Sequence, residues 1–127
     1  MIPFKRIGKL TQAAEELPFP VKRIYWINTK GQSRGGHAHK ETHQVITCMQ
    51  GSFTLVIDDG REITRHYLTA ENPIGIRVDW EWHTMEDCSE DCIILVFAST
   101  YYNECDYIRD YNKWKGMLND SADTTTV

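Results

Sequence analysis

Arg34-Gly35-Gly36-His37-Ala38-His39-Lys40 carries two histidines separated by one small residue. On an extended backbone alternate side chains share a face, so both imidazoles point the same way. The glycine pair before them lets the chain bend without a Cβ clash. An arginine beside two groups that titrate near neutrality places a fixed cation next to a proton-moving pair, which suits an anionic substrate.

Working outward, the flanks read as strands. Upstream, Lys22 to Thr29 alternates through Ile24, Tyr25, Trp26 and Ile27, and Gly31-Gln32-Ser33 turns the chain into the histidines. Downstream, His43 to Gln50 is rich in sheet-forming residues. Gly51-Ser52 turns it into a run that places Phe53, Leu55 and Ile57 on one face. Asp58-Asp59-Gly60 is a hairpin signal, with Arg61 to Leu68 returning as the next strand. Asn72-Pro73 breaks the chain before a strand over Ile74 to Trp82, and Cys92 to Ala98 reads as a strand buried on both faces. Residues 1–20 give an extended lead-in limited by Pro18 and Pro20. Strands punctuated every 8–12 residues or so predict a sandwich or barrel. Tyr107, Ile108, Tyr111, Trp114 and Leu118 recur at helical spacing, predicting a short amphipathic C-terminal helix. The expected organisation is one domain over 1–120 and a disordered polar tail over 121–127.

The bulk properties narrow the function. A net charge of -4 over 127 residues argues against nucleic acid or an anionic membrane as partner. No apolar run approaches the ~18 residues of a membrane-spanning helix. The start Met1-Ile2-Pro3-Phe4-Lys5-Arg6 lacks the apolar core of a signal peptide, so a cytoplasmic protein is expected. Of the four cysteines, Cys48 reads as a buried reduced thiol, and Cys88 and Cys92 lack a second pair at zinc-ligand spacing.

Gly31, His37-x-His39, Gln44 and Gly51 match the spacing of the first cupin motif, with glutamine in the usual glutamate place. For the second motif, His83 stands at the histidine and Asp87 at the usual asparagine, while Val78 and Trp80 replace its proline and glycine. The resemblance implies an all-β, single-domain cupin (RmlC-like) jelly roll with a short C-terminal helix. More specifically, the chain resembles the cupin-type sugar 3,4-ketoisomerases that act on dTDP-4-keto-6-deoxyglucose. The resemblance covers most of the chain. It rests on Phe19 to Tyr25, Arg34 to Lys40, Gly51-Ser52-Phe53 leading to Asp58-Asp59-Gly60, Trp82-His83, and Ser99 to Tyr102 through Asp106 to Arg109.

That resemblance implies a metal-free isomerase without a cofactor, supplying a 3-keto intermediate for a 3-amino-3,6-dideoxy sugar of surface glycans. It makes His39 the base at carbon 3, His37 its partner, and Tyr25 a third residue of the cavity. Arg34 would hold the nucleotide pyrophosphate and His83 would contact substrate. Arg6, in Lys5-Arg6-Ile7-Gly8, falls near the family's N-terminal Asp-x-Arg-Gly stretch, with one extra residue before the glycine. The expected substrate is a dTDP-linked 4-keto sugar, with no nucleic acid or membrane partner. A homodimer with exchanged N-terminal strands is implied, and Leu17-Pro18-Phe19-Pro20 would form a rigid crossover.

Histidine suits a 3,4-keto shift because both its base and acid forms are accessible at neutral pH. Arginine presents a rigid donor fork to phosphate. Three other functions share these features. One is a metal-dependent cupin using His37, His39 and His83, with Gln44 as a weak fourth ligand. Another is a non-catalytic sugar-nucleotide binder, and a third is a deoxysugar 3,5-epimerase. His43 and His66 read as structural or exposed. Trp80, Trp82 and Trp114 read as core or interface, and Arg109 with its tyrosines as packing for the tail helix.

Overall fold

A computed structural model describes residues 1–125, with side chains described through Asn119. The frayed tail expected over 121–127 lies outside the described side chains. Eleven strands form two antiparallel sheets among the described residues. The strands are β1 (Ile2–Ile7), β2 (Leu10–Ala13), β3 (Arg23–Asn28), β4 (Arg34–His39), β5 (Gln44–Gln50) and β6 (Ser52–Asp58). They continue with β7 (Ile63–Thr69), β8 (Ile74–Val78), β9 (Trp82–Glu86), β10 (Ile93–Ala98) and β11 (Tyr107–Ile108), before the helix α1 (Tyr111–Thr125). One sheet runs β2-β1-β8-β5-β10-β3 and the other β11-β4-β9-β6-β7. This is the expected jelly roll, in which the chain alternates between facing sheets from β3 to β6 and again from β7 to β11.

The alternation seen in the sequence sets the inner faces. Phe53, Leu55 and Ile57 of β6 are buried against Ile46 of β5, Met85 of β9, and Ile94 and Val96 of β10. On β10 only that face is buried, which corrects the expectation of two. Ile93, Leu95 and Phe97 are half-buried, because their face is covered only in part, with Phe4 of β1 6.1 Å from Phe97.

The 74–82 run is not one strand. After Val78 the chain turns a corner, leaves the six-stranded sheet and re-enters the other as β9. The helix starts at Tyr111, later than the spacing suggested, because Tyr107 and Ile108 pair with His39 and Ala38 as an edge strand. Asp110 accepts the Lys113 N–H at 3.1 Å and caps the helix. Ile108 and Trp114 share a buried cluster with Ala38, on the side of β4 opposite its histidines. The helical spacing therefore marked a common packing face, only part of which is helix.

The N-terminal lead-in is a hairpin, β1 with β2, and β1 joins β8 of its own chain through Ile2–Gly75 and Pro3–Ile74. On the histidine strand, register against β9 slips between Gly35 and His37. Gly35 and Gly36 adopt φ of +89° and +78° there. A Cβ on Gly35 would come within 3.0 Å of the His83 carbonyl oxygen and of the Thr84 Cα, so the bulge requires glycine.

Candidate active site

The bulge re-aims β4 so that His37 and His39 enter the space between the sheets. His37 pairs with His83 across the ladder, and Tyr107 pairs with His39. Residues paired across strands share a face. One cluster results. Ring centroids of His37 lie 5.1 Å from His39, 4.7 Å from His83 and 5.1 Å from Tyr107, and His39 lies 4.5 Å from Tyr107. The ligand nitrogens of His37, His39 and His83 all fall within 4.8 Å of one another, so these three could hold a divalent metal ion.

Each imidazole has a different environment. His39 is 1% exposed, and its Nδ1 meets Asp106 Oδ2 at 2.8 Å. His83 is equally buried, with Nδ1 3.2 Å from the Glu81 carbonyl oxygen. Both Nε2 atoms are buried without a partner. His37 has no carboxylate and lines a cavity of about 410 Å³ with Arg23, Tyr25, Ile27, Arg34, Tyr102, Tyr107 and Arg109. Burial pushes His37 down to about 3, helped by His83, His39 and the nearby arginines. Burial likewise takes His83 down to about 4. It also lowers His39, but there the Asp106 bond opposes it.

Burial alone would raise Asp106. Bonds from Thr42 Oγ1, the Glu41 N–H at 2.6 Å and His39 outweigh it and hold the carboxyl below its usual range. Burial, with Tyr107 nearby, lifts the Tyr25 hydroxyl to about 12, so it stays protonated at neutral pH. Tyr25 accepts from Gln44 Nε2 at 2.8 Å, which leaves its own O–H available to the cavity. Gln44, in the cupin carboxylate's place, is buried, and its Oε1 has no partner.

Of the residues singled out from the sequence, His37, Tyr25 and Arg34 line one cavity, and His39 and His83 lie directly behind His37. Arg6 is elsewhere. Its guanidinium donates to the Ala70 carbonyl oxygen at 3.1 Å and pairs with Glu71, beside a separate groove. Trp114 is core, as expected. The assignment of Arg109 and its tyrosines to helix packing needs correction. Tyr102, Tyr107 and Arg109 line the cavity, with Arg109 4.4 Å above Tyr107 and forked onto Glu104 at 3.0 and 3.1 Å. Arg23 was passed over altogether. It sits 5.1 Å from the Tyr25 ring, with a buried, unpartnered Nε. The signal for Arg23 was its place two residues before Tyr25 on the same strand face.

A jelly roll with clustered imidazoles behind a cavity bearing three guanidiniums defines a cupin whose cavity suits an anionic small molecule. The family described as FdtA: WxcM-like, C-terminal matches residues 6–119, and the chain belongs to it. Among curated proteins, it is 43% identical to the TDP-4-oxo-6-deoxy-alpha-D-glucose-3,4-oxoisomerase of Aneurinibacillus thermoaerophilus, over 93% of this chain and 91% of that one. Among solved structures, it is similar to a 3,4-ketoisomerase from Helicobacter canadensis (38% identity, TM-score 0.81, 93% of each chain). It is also similar to QdtA, a sugar 3,4-ketoisomerase from Thermoanaerobacterium thermosaccharolyticum solved with TDP (33% identity, TM-score 0.82, 94% of this chain and 93% of that one). The chain is thus an isomerase of the sugar 3,4-ketoisomerase class, as its motifs implied.

Proposed function

We propose that the protein converts dTDP-4-keto-6-deoxyglucose into the dTDP-3-keto-6-deoxyhexose by histidine-mediated proton transfer, without a metal ion. The names of its relatives support the substrate. The observation that carries the mechanism is the His39 Nε2, buried and unpartnered behind His37 and the cavity. Net reaction moves the carbon-bound proton from C3 to C4 and the hydroxyl proton from O3 to O4 through an enediol. His39 takes the C3 proton and returns it at C4, because of the three clustered imidazoles only this one has a carboxylate to stabilise its charged form. His37, held neutral, and the protonated Tyr25 serve the oxygens as donors, in the division of roles that follows when environments set titrating groups apart. Arg34 holds the pyrophosphate and His83 supports the sugar pocket. Binding of the distant nucleotide orients the carbonyl against the base.

The test is incubation with the 4-keto sugar nucleotide in heavy water. Deuterium should enter beside the carbonyl with formation of the 3-keto product. His39→Asn should still bind TDP but turn over at least ~10²-fold more slowly. Binding with neither 3-keto product nor exchange would mean a non-catalytic module, and exchange at C5 as well as C3 would mean an epimerase. The three-imidazole set favours a second reading, a metal-dependent cupin. Replacement of the usual carboxylate by Gln44, engaged on Tyr25, weakens that set for a divalent cation. Full activity in chelator, with no metal in the purified protein, would remove this reading.

Residues 1–120 act in this proposal as one catalytic domain. The exposed Ile24 and Trp26 on edge strand β3 support a homodimer; in the single chain β1 pairs with β8, and exchange of N-terminal strands through the Leu17-Pro18-Phe19-Pro20 crossover would remake that pairing on the partner and carry Arg6 with it. No helix among the described residues is long and apolar enough to cross a membrane, and we place the protein in the cytoplasm. A 3-keto product suits amination at C3, as for a 3-amino-3,6-dideoxy sugar of surface glycans.

A further inference from the structure

We propose that Asp106 is a positioning residue for the reaction: it fixes the tautomer and ring plane of His39 so that the Nε2 lone pair faces the other imidazoles of the cluster. This rests on the proposed role of His39 as base.

Asp106 lies at the end of a 3₁₀ turn, Glu104–Asp106, immediately before β11. The turn is fastened to the end of the histidine strand, because the Lys40 N–H donates to the Asp106 carbonyl oxygen at 3.0 Å and Tyr107 pairs with His39. The carboxylate is therefore held in place by backbone on both sides. Every side-chain contact it makes is with a group able to donate: the Glu41 N–H on Oδ1, and Thr42 Oγ1 and His39 Nδ1 on Oδ2. Thr42 is itself steadied by Thr100 at 2.7 Å.

An ionised carboxylate can only accept, so Nδ1 of His39 must carry the proton. Nε2 then holds the lone pair. It is this atom that is buried without a partner, in the cluster with His37 and His83. His37 has no such partner, and His83 Nδ1 donates to the Glu81 carbonyl oxygen at 3.2 Å, which fixes its tautomer but places no negative charge beside the ring. Asparagine at position 106 would keep the shape but turn an amide N–H₂ toward His39 Nδ1. The proton would move to Nε2, and the base would be lost with its scaffold intact.

A purely structural bridge between the turn and β4 would fix the same tautomer but would give no selective loss of turnover on its removal. The measurement is nitrogen-15 NMR of the imidazoles in the wild-type protein, with His39 assigned by its loss in His39→Asn. It is paired with steady-state kinetics of Asp106→Asn. Expected are an Nδ1–H tautomer for wild-type His39, an Nε2–H tautomer in the variant, and a kcat lower by about 10²–10⁴-fold with KM within about threefold. A wild-type Nε2–H tautomer, or a variant kcat within about threefold, would overturn the positioning role. If Asp106→Asn does not fold, the wild-type spectrum still decides, because the wrong tautomer alone defeats the proposal. Failure of the reaction reading looks different: the Nδ1–H tautomer would be present, with no 3-keto product formed from the bound sugar nucleotide.

Discussion

Strand β9 carries His83 and Met85 two residues apart, both facing the interior and both almost fully buried. Met85 lies in the hydrophobic cluster, which Tyr25 borders, whereas His83 meets His37 and His39. Strand β5 repeats the contrast with Gln44 against Ile46 and Cys48. One interior is thus split into two ends of equal burial and opposite chemistry. The buried side-chain atoms without partners among the described residues are Arg23 Nε, His39 Nε2, Gln44 Oε1 and His83 Nε2, all of them on residues of the polar end or its cavity wall. Leaving buried polar groups unpaired costs free energy that a shape-matched apolar side chain would not. The apolar end supplies stability, and the polar end draws on it to keep donors and acceptors ready for a ligand.

The sharpest way to break this comparison is to truncate each end. Met85→Ala removes a buried side chain from the packed cluster and should cost about 2–5 kcal/mol, read from urea denaturation. Its midpoint should fall well below that of any single truncation in the histidine cluster. A cost under about 1 kcal/mol would mean that this end is not the stabilising one. Arg34 tests the cavity wall. It is exposed on β4, so Arg34→Ala should leave the unfolding midpoint near wild type. Losing a charge-assisted contact to phosphate should raise KM for the dTDP-sugar about 10-fold or more. An unchanged KM would move the pyrophosphate to other cations of the wall.

Acid should expose the same asymmetry. His37 and His83 are held neutral in the fold, down to about 3 and about 4, and His39 is also lowered. Between the ordinary histidine value of about 6.5 and those folded values, the unfolded chain binds protons that the folded chain refuses. Stability contributed by these groups is complete above about 6.5 and is lost as pH falls toward the folded values. The slope approaches about 1.4 kcal/mol per pH unit for each group. Urea midpoints at pH 7.5 and 5.5 should differ in that direction, and the drop should shrink in His37→Asn. Equal midpoints would contradict burial of neutral imidazoles at this end.

Much of both ends was legible beforehand, for separate reasons. Alternation in Phe53-Thr54-Leu55-Val56-Ile57 and the His37-x-His39 pair each specify a face through the period of two, and both faces were read correctly. What failed was information carried by pairing between distant strands. Tyr107 and Arg109 read as part of the tail helix because Tyr107 and Ile108 stand four and three residues before Tyr111. The place of Tyr107 and Arg109 at the cavity, and of Asp106 on His39, comes from the pairing of β11 with β4, a contact between residues 68 positions apart at Tyr107 and His39 that no local pattern encodes. The corner after Val78 was hidden likewise, since Asp79, Trp80 and Glu81 carry no glycine or proline to mark it. Arg23 was hidden in plain alternation, where an arginine on a strand ordinarily faces water.

The smallest expected effect is the most discriminating. His83→Leu replaces an imidazole of the polar end by a side chain of the kind that fills the other end. It forfeits the bond to the Glu81 carbonyl oxygen, which at 3.2 Å is a modest one worth about 1 kcal/mol. It also removes the orphaned Nε2 and adds apolar burial. These changes offset one another, so the unfolding midpoint should stay within about 1 kcal/mol of wild type or rise, even though the residue is as buried as Met85. Turnover should fall, because His37 and His39 lose the neighbour that packs against both rings. A destabilisation above about 2 kcal/mol would show His83 to be an ordinary satisfied core residue and would erase the boundary between the two ends. Unchanged stability with reduced turnover would place that boundary between residues 83 and 85 of a single strand.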